Sequence, residues 1–115
     1  MKRVTPGLEK LLASPDKYLC GSTFGLVVNQ TSLTRDGCPS TTQFCNNSRF
    51  KLNALLAPEH GLYGIDQDMV QILDETDMVS GLPVKSLYGA DASSLAPAPD
   101  LLNEIDNLIF DIQDV

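Results

Sequence analysis

The sequence predicts one α/β domain with a mostly parallel sheet and flanking helices. Its 115 residues are the size of one domain, and its composition, 43% hydrophobic and 20% charged, is typical of globular proteins. Short apolar runs alternate along the chain with helical patterns or long connections, as in parallel sheets built from crossovers. Polar side chains follow these runs, and open parallel sheets bind ligands at the carboxyl ends of their strands.

Four apolar runs are predicted as strands. The first, Thr23–Val28, is apolar throughout, which predicts burial on both faces. The second, Leu52–Ala57, runs into a turn that begins at Pro58. The third and fourth are Pro83–Tyr88 and Asn107–Ile112.

Three stretches are predicted as helices. Pro6–Leu12 has leucines on one face and Thr5 as a possible N-cap. Ser40–Asn47 is more polar, and Ser40 is its expected N-cap. Asp100–Ile105 is predicted to form one or two helical turns. Residues 62–80 are predicted as a loop with at most a helical turn.

Charge and composition exclude several classes of partner. The net charge of −7 argues against nucleic acid or an anionic membrane, and no apolar run approaches the roughly 18 residues of a membrane span. The N-terminus MKRVTPGLEKLL has no apolar core of a signal peptide, so we expect a cytoplasmic protein. Cys20, Cys38 and Cys45 lack CxxC spacing, as expected of reduced thiols.

The candidate site residues follow the four predicted strands, so their side chains are expected at one rim of the sheet. They are Asn29, Gln30 and Thr31 after the first strand, Glu59 and His60 after the second, Tyr88 at the end of the third, and Asp111, Gln113 and Asp114 at the end of the fourth.

Glu59 is the best candidate for a general acid or base, because partial burial after a strand would raise its pKa. A turn carboxylate that accepts backbone N–H groups is an equal alternative. His60 either orients Glu59, contacts substrate or shuttles a proton, or it is a structural hydrogen-bonding residue. One histidine near Asp66 and Asp68 has no metal-site spacing, and no glycine-rich phosphate loop is present, so no cofactor is expected.

The remaining candidates also have two interpretations each. Asn29, Gln30 and Thr31 suit sugar hydroxyls or an amide, and they equally suit capping of the following turn. Tyr88 either stacks on a sugar ring or packs in the fold. Asp111 interrupts an apolar strand, where a carboxylate is costly unless it is paired, which favours function or a specific hydrogen-bond network.

Four stretches, GLVVNQTS, LLAPEHGLYG, GLPVKSLYG and IDNLIFDIQDV, resemble the successive signatures of the NamZ-type exo-β-N-acetylmuramidases, glycoside hydrolases formerly known as a domain of unknown function. The resemblance runs from Gly7 to Val115. It implies a Rossmann-like catalytic domain followed by a smaller auxiliary domain. It also implies release of N-acetylmuramic acid from the non-reducing end of peptidoglycan fragments.

Carried over by position, Glu59 corresponds to a glutamate proposed as catalytic in the family. The residues in motifs that would line the same cleft are Asn29, Gln30, His60, Asp111, Gln113 and Asp114. The loop Ile65–Met69 departs from the small, acidic loop that is usual there. Family members also continue past the DIQDV motif, so we expect an N-terminal portion whose sheet is incomplete on the C-terminal side.

The second carboxylate and the function of the chain each have alternatives. The second carboxylate of the reaction is Asp111, Asp114 or a glutamate outside these 115 residues, and the chain by itself is expected to have little activity. The main alternative function is a non-catalytic module that binds a sugar or muropeptide at the same rim. A nucleotide-binding Rossmann domain is disfavoured because the glycine fingerprint is missing.

Overall fold

A computed structural model of the chain describes residues 2–46, 49–58, 61–64 and 75–113. Its five strands form one sheet in the order β3-β4-β2-β1-β5. Four of them are parallel, and the short β3 pairs antiparallel with β4 at one edge. The strands are β1 (Thr23–Val28), β2 (Lys51–Ala57), β3 (Glu75–Thr76), β4 (Pro83–Ser86) and β5 (Asn107–Asp111).

Three short helices and two 3-10 turns connect these strands. They are α1 (Gly7–Ala13), α2 (Ser40–Cys45) and α3 (Pro99–Asn103), with 3-10 turns at Pro15–Lys17 and Ala92–Leu95. The α/β class with a mostly parallel sheet is therefore confirmed, and the first strand is confirmed residue for residue. Within the described ranges, no helix is long and apolar enough to cross a membrane.

Two predicted caps are wrong. α1 begins at Gly7 rather than Pro6, and no side chain caps it, so Thr5 is not its N-cap. Ser40 is the first residue of α2 rather than its cap, and its buried hydroxyl has no hydrogen-bond partner among the described residues. The sequence also missed β3, because two residues are too few to form a periodic pattern.

The later strands of the sheet are added on both sides of β1. The chain passes from β1 to β2 and then β4 on one side, and returns to place β5 on the other side of β1. Phe24 of β1 packs edge-on against Phe44 of α2, with ring centroids 5.3 Å apart. The next residue, Gly25, faces Ile105 after α3 so closely that a Cβ on this glycine would lie 3.0 Å from the Ile105 side chain. Successive strand residues point to opposite faces, so the two connections cover opposite faces, as in a Rossmann-like fold.

The main core lies on the α2 face of the sheet. Phe24, Leu26 and Val28 of β1 are each at most 1% exposed there. They pack with side chains of β2 and β4, and the half-buried leucines of α1 pack against the same cluster. Burial of all β1 side chains after Thr23 confirms the expectation that this strand is covered on both faces.

Hydrogen bonds at the amino ends of β1 and β5 hold these two strands together. The carboxylate of Asp106 accepts the N–H groups of Ser22 and Thr23, at 2.8 and 3.0 Å, and the hydroxyl of Thr23 at 3.1 Å. The amide of Asn107 accepts from the N–H of Cys20 at 3.0 Å and donates to its carbonyl at 2.6 Å. We call this set of contacts the β5 clamp. It fixes the register in which β5 lies beside β1.

Gly21 leaves room for the β5 clamp. Its φ is +61°, and a Cβ there would overlap the carboxylate of Asp106. We predict that Gly21→Ala lowers the free energy of unfolding by more than Gly37→Ala. Gly37 has a similar φ of +78° with open space around it, so its substitution adds only backbone strain, about 1–2 kcal/mol. Urea unfolding of both variants measures the difference, and equal losses would contradict the clamp.

Acid should weaken the same contacts. The N–H groups of Ser22 and Thr23, with the Thr23 hydroxyl, lower the pKa of Asp106. The stabilisation is therefore fully present above its unfolded pKa of about 3.9 and is lost as the pH falls through the lowered pKa. We predict that Asp106→Asn is less stable than wild type at neutral pH and loses less stability on acidification. Unfolding free energies between about pH 6 and about pH 2 test this. Asp36→Asn, in an exposed turn, is the control.

Candidate functional site

Hydrogen bonds from its own side chains stabilise the conformation of the loop after β1. The side-chain carbonyl of Asn29 accepts the N–H of Thr31 at 2.9 Å and its hydroxyl at 2.6 Å. The N–H of Asn29 donates to the hydroxyl of Ser32 at 3.0 Å. These contacts form an Asx-type turn, so the capping role foreseen for Asn29 is present. Only the side-chain carbonyl oxygen of Asn29 accepts these hydrogen bonds, so its NH₂ group is not used in the turn.

This loop is bound to the carboxyl end of β5. The hydroxyl of Ser32 donates to the backbone carbonyl of Asp111, and the N–H of Gln113 donates to the hydroxyl of Thr31 at 2.9 Å. The two polar segments expected to share a rim are therefore in contact. They meet between β1 and β5, where the winding direction of the sheet reverses and where such folds bind ligands.

Asp111 lies beside a groove between α1 and the end of β5, which we call the α1 groove. The groove has a volume of about 790 Å³, and Thr31, Arg35 and Gln113 also line it. One carboxylate oxygen of Asp111, Oδ2, is buried and accepts no hydrogen bond from the described residues. An unpaired buried acceptor is costly, which distinguishes Asp111 from Asp77, whose oxygens accept hydrogen bonds.

A second cavity of about 260 Å³ lies on the other side of the loop after β1, and we call it the Tyr63 cavity. It is enclosed by this loop, by the turn that follows β2 and by the start of α2. Asn29 and Gln30 line it, so two of the predicted residues face it. Its apolar walls are Val28, Leu33, Pro39, Leu62 and Val79.

A buried carboxylate holds Tyr63 at this cavity. Asp77 is 4% exposed and accepts hydrogen bonds from the hydroxyl of Tyr63 and from the N–H and hydroxyl of Ser80, the last two at 2.8 and 2.6 Å. Burial opposes ionisation of Asp77, but the hydrogen bonds from Ser80 and Tyr63 outweigh it and lower its pKa. Asp77 is therefore an ionised structural anchor with its acceptor sites in use.

Gly64 connects the turn after β2 to the loop after β1. Its φ is +68°, and a Cβ there would overlap the side-chain amide of Gln30. The amide of Gln30 therefore lies directly against the backbone of Gly64. This contact places Gln30 at the cavity and explains the need for glycine at this position of the LYG sequence.

The structure separates Tyr88 from this group. Tyr88 follows β4, which is divided from β1 by β2, and its side chain is half-buried. Glu59, His60 and Asp114 lie outside the described residues. The residues on either side of the first two are described: the N–H of Gly61 donates to the carbonyl of Pro58 at 3.1 Å.

Sequence reasoning missed Ser32, Tyr63 and Asp77. Ser32 lies three residues after Asn29, and Ser80 lies three residues after Asp77, a spacing that is typical of side-chain-capped turns. This spacing could have identified both turns from the sequence. Within the parts of the chain that the structure describes, no three His, Cys, Asp or Glu residues are grouped as a metal site would require.

Comparison with known proteins identifies the family. A family model described as the N-terminal part of the exo-β-N-acetylmuramidase NamZ matches residues 24–115. The peptidoglycan β-N-acetylmuramidase NamZ of Bacillus subtilis (strain 168) is 36% identical over 113 residues, which are 98% of this chain and 27% of that protein. The crystal structure of a DUF1343 family protein from Bacteroides fragilis NCTC 9343 aligns with a TM-score of 0.77 at 34% identity. It covers 95% of this chain and 26% of that one.

The chain thus spans about a quarter of the length of both relatives. The match to the family model contains all four stretches on which the resemblance rests, including the loops after β1 and β2 that enclose the Tyr63 cavity. This chain belongs to the family of the N-terminal part of the exo-β-N-acetylmuramidase NamZ.

Proposed function

We propose that this chain supplies the sugar-binding rim and at least one catalytic carboxylate of an exo-β-N-acetylmuramidase. The enzyme would release N-acetylmuramic acid from the non-reducing end of a peptidoglycan-derived disaccharide or muropeptide, without a cofactor. The observation that carries the proposal is the junction of the loop after β1 with the end of β5. It joins Thr31, Ser32, Asp111 and Gln113 at the switch point of the sheet.

Glu59 is our choice for the general acid or base. It follows β2, whose last residues Leu55, Leu56 and Ala57 are each at most 1% exposed, and the buried Leu62, shortly after it in the chain, lines the Tyr63 cavity. A carboxylate next to such a buried strand can be kept protonated long enough to donate to the leaving oxygen. His60 would orient Glu59 or transfer its proton.

Asp111 is the best second carboxylate within the described residues. Its Oδ2 is uncommitted, whereas the oxygens of Asp77 are bound by Tyr63 and Ser80. Retaining glycosidases hold their two carboxyl groups about 5–5.5 Å apart, and inverting ones about 6.5–9.5 Å apart. Asp114, or a residue outside this chain, stays the alternative partner. Asn29, Gln30, Thr31 and Gln113 would bind sugar hydroxyls, and Tyr88 would contact a more distant part of the substrate.

The first prediction for this function concerns Glu59. In protein expressed from the complete open reading frame, Glu59→Gln should reduce turnover of a chromogenic N-acetylmuramide by about 10²–10⁴-fold, since it removes proton transfer and preserves shape. Asp111→Asn should cause a loss of similar order if Asp111 is the second carboxylate. The kcat of each variant, with circular dichroism as a check of folding, measures these effects.

Glu104→Gln is the matched control. Glu104 is exposed and precedes β5, so it lies at the amino ends of the strands, away from the carboxyl ends where the site lies. Near-wild-type turnover of Glu59→Gln would refute its catalytic role. If wild-type protein binds N-acetylmuramic acid in calorimetry but hydrolyses no muramide, the chain is instead a muropeptide-binding module.

The second prediction concerns the contact of Gly64 with Gln30. Gly64→Ala should push the amide of Gln30 away from the cavity and raise KM several-fold with little change in kcat, because the amide contacts bound sugar. Gly37→Ala introduces the same methyl group at a similar positive φ in open space, and it should leave both constants unchanged. Equal kinetics for the two variants would show that Gln30 does not contact substrate.

A further inference from the structure

The Tyr63 cavity has an unusual combination of size and charge for a site that handles an anionic sugar. Its volume of about 260 Å³ lies below the roughly 300–1,000 Å³ of sites for drug-sized ligands, so it fits a substituent or one ring rather than a disaccharide. No lysine or arginine is among the described residues that line it. Among those same residues, the one charged side chain is the ionised Asp77.

This charge distribution decides which part of a muramic acid suits the cavity. The lactyl carboxylate is anionic, and it would meet Asp77 without a neighbouring cation from the described lining, which is unfavourable in a partly enclosed site. The acetamido group is uncharged and ends in a methyl group. The apolar walls formed by Val28, Leu33 and Leu62 suit that methyl group.

The polar groups of the cavity suit an amide. The side-chain carbonyl of Asn29 is occupied by Thr31, so its NH₂ is the part left to donate to a ligand oxygen. The side-chain amide of Gln30 makes no hydrogen bond to the described residues, and it offers both a donor and an acceptor. One acetamido carbonyl and one N–H can therefore be matched from the same wall.

Tyr63 adds an aromatic surface to the cavity lining. Its side chain is about half exposed, and its hydroxyl donates to the buried Asp77, which helps to fix the position of the ring. An aromatic ring fixed in this way is suited to contact the apolar face of a pyranose. The exposed Val79 adds apolar surface to the same lining.

We propose that the Tyr63 cavity binds the uncharged 2-acetamido group of the terminal sugar, with Tyr63 as the platform for the ring and Asp77 as a positioning residue. The proposal rests on the proposed function, in which that sugar is N-acetylmuramic acid. It makes the N-acyl group a determinant of specificity. The lactyl group is then directed away from this cavity.

The test combines four variants with three substrates. The variants are Gln30→Ala, Tyr63→Ala, Tyr63→Phe and Asp77→Asn, and the substrates are a chromogenic muramide with an N-acetyl group, its N-propionyl form and its analogue with an uncharged hydroxyl group at C2. Tyr63→Ala should raise KM for the N-acetyl substrate about tenfold, as the loss of one aromatic contact implies, while kcat changes less than about threefold. Tyr63→Phe should retain most of the affinity because it keeps the ring, and Asp77→Asn should fall between the two.

Selectivity separates this role from a merely structural one. Wild type should prefer the N-acetyl substrate over the 2-hydroxy analogue by kcat/KM, and Gln30→Ala should reduce that preference about tenfold because it removes the amide that matches the acetamido group. Tyr63→Ala should weaken both substrates alike, because both carry the pyranose ring. Tyr18→Ala, at a tyrosine of similar exposure beside α1, should change neither quantity. Unchanged selectivity in Gln30→Ala, or a loss confined to kcat in Tyr63→Ala, would overturn the proposal.

A binding measurement keeps the inference separate from the reaction. If wild-type protein hydrolyses no muramide, the proposed function fails, and the cavity is then tested with N-acetylglucosamine and glucose by NMR titration. N-acetylglucosamine should shift the ring signals of Tyr63 in wild type, and glucose, which lacks the acetamido group and is uncharged, should not. Equal responses to both sugars, or to neither, would overturn the assignment of the cavity.

Discussion

The hydrogen bonds of the β5 clamp are the contacts on which the candidate site depends. Asp106 and Asn107 bind the segment that precedes β1, and from there the two strands run in register from Phe24 opposite Asn107 to Val28 opposite Asp111. Parallel strands need long connections, so no tight turn sets this register. The clamp sets it at one end and thereby brings Asp111 to the loop after β1 at the other.

Most of the fold could be predicted from the sequence, because buried strands are recognisable as runs of apolar residues. β1 lies in the middle of the sheet and is covered on both faces, so its apolar run has sharp ends and was predicted residue for residue. β5 is different: its burial alternates, with Phe110 69% exposed and Ile109 packed against the core. Its place beside β1 could not be predicted from its own residues, because the clamp joins positions more than 80 residues apart.

The site was predictable in outline and not in detail for the same reason. Polar residues after parallel strands must share a rim, and Thr31 and Gln113 do meet there. Which residues of the rim are neighbours depends on strand order, which a single sequence does not give. Tyr63 and Tyr88 both follow strands, yet Tyr63 follows β2, the neighbour of β1, and lines a cavity with Asn29. The aromatic residue named as a candidate from the sequence was Tyr88, with packing in the fold as its alternative role.

Asp77 and Asp111 are chemically identical carboxylates near the rim, and their different surroundings suit them to different roles. Asp77 is surrounded by donors from Tyr63 and Ser80, so its charge is stabilised and its oxygens are committed to holding a loop. Asp111 receives no such donors at Oδ2 from the described residues, although that atom is equally removed from water. The first arrangement stabilises the fold, whereas the second is costly to it and favours a functional reason for a carboxylate at position 111. The loop of Asn29 and Thr31 lies between these two carboxylates, because it lines both the Tyr63 cavity with Asp77 and the α1 groove with Asp111.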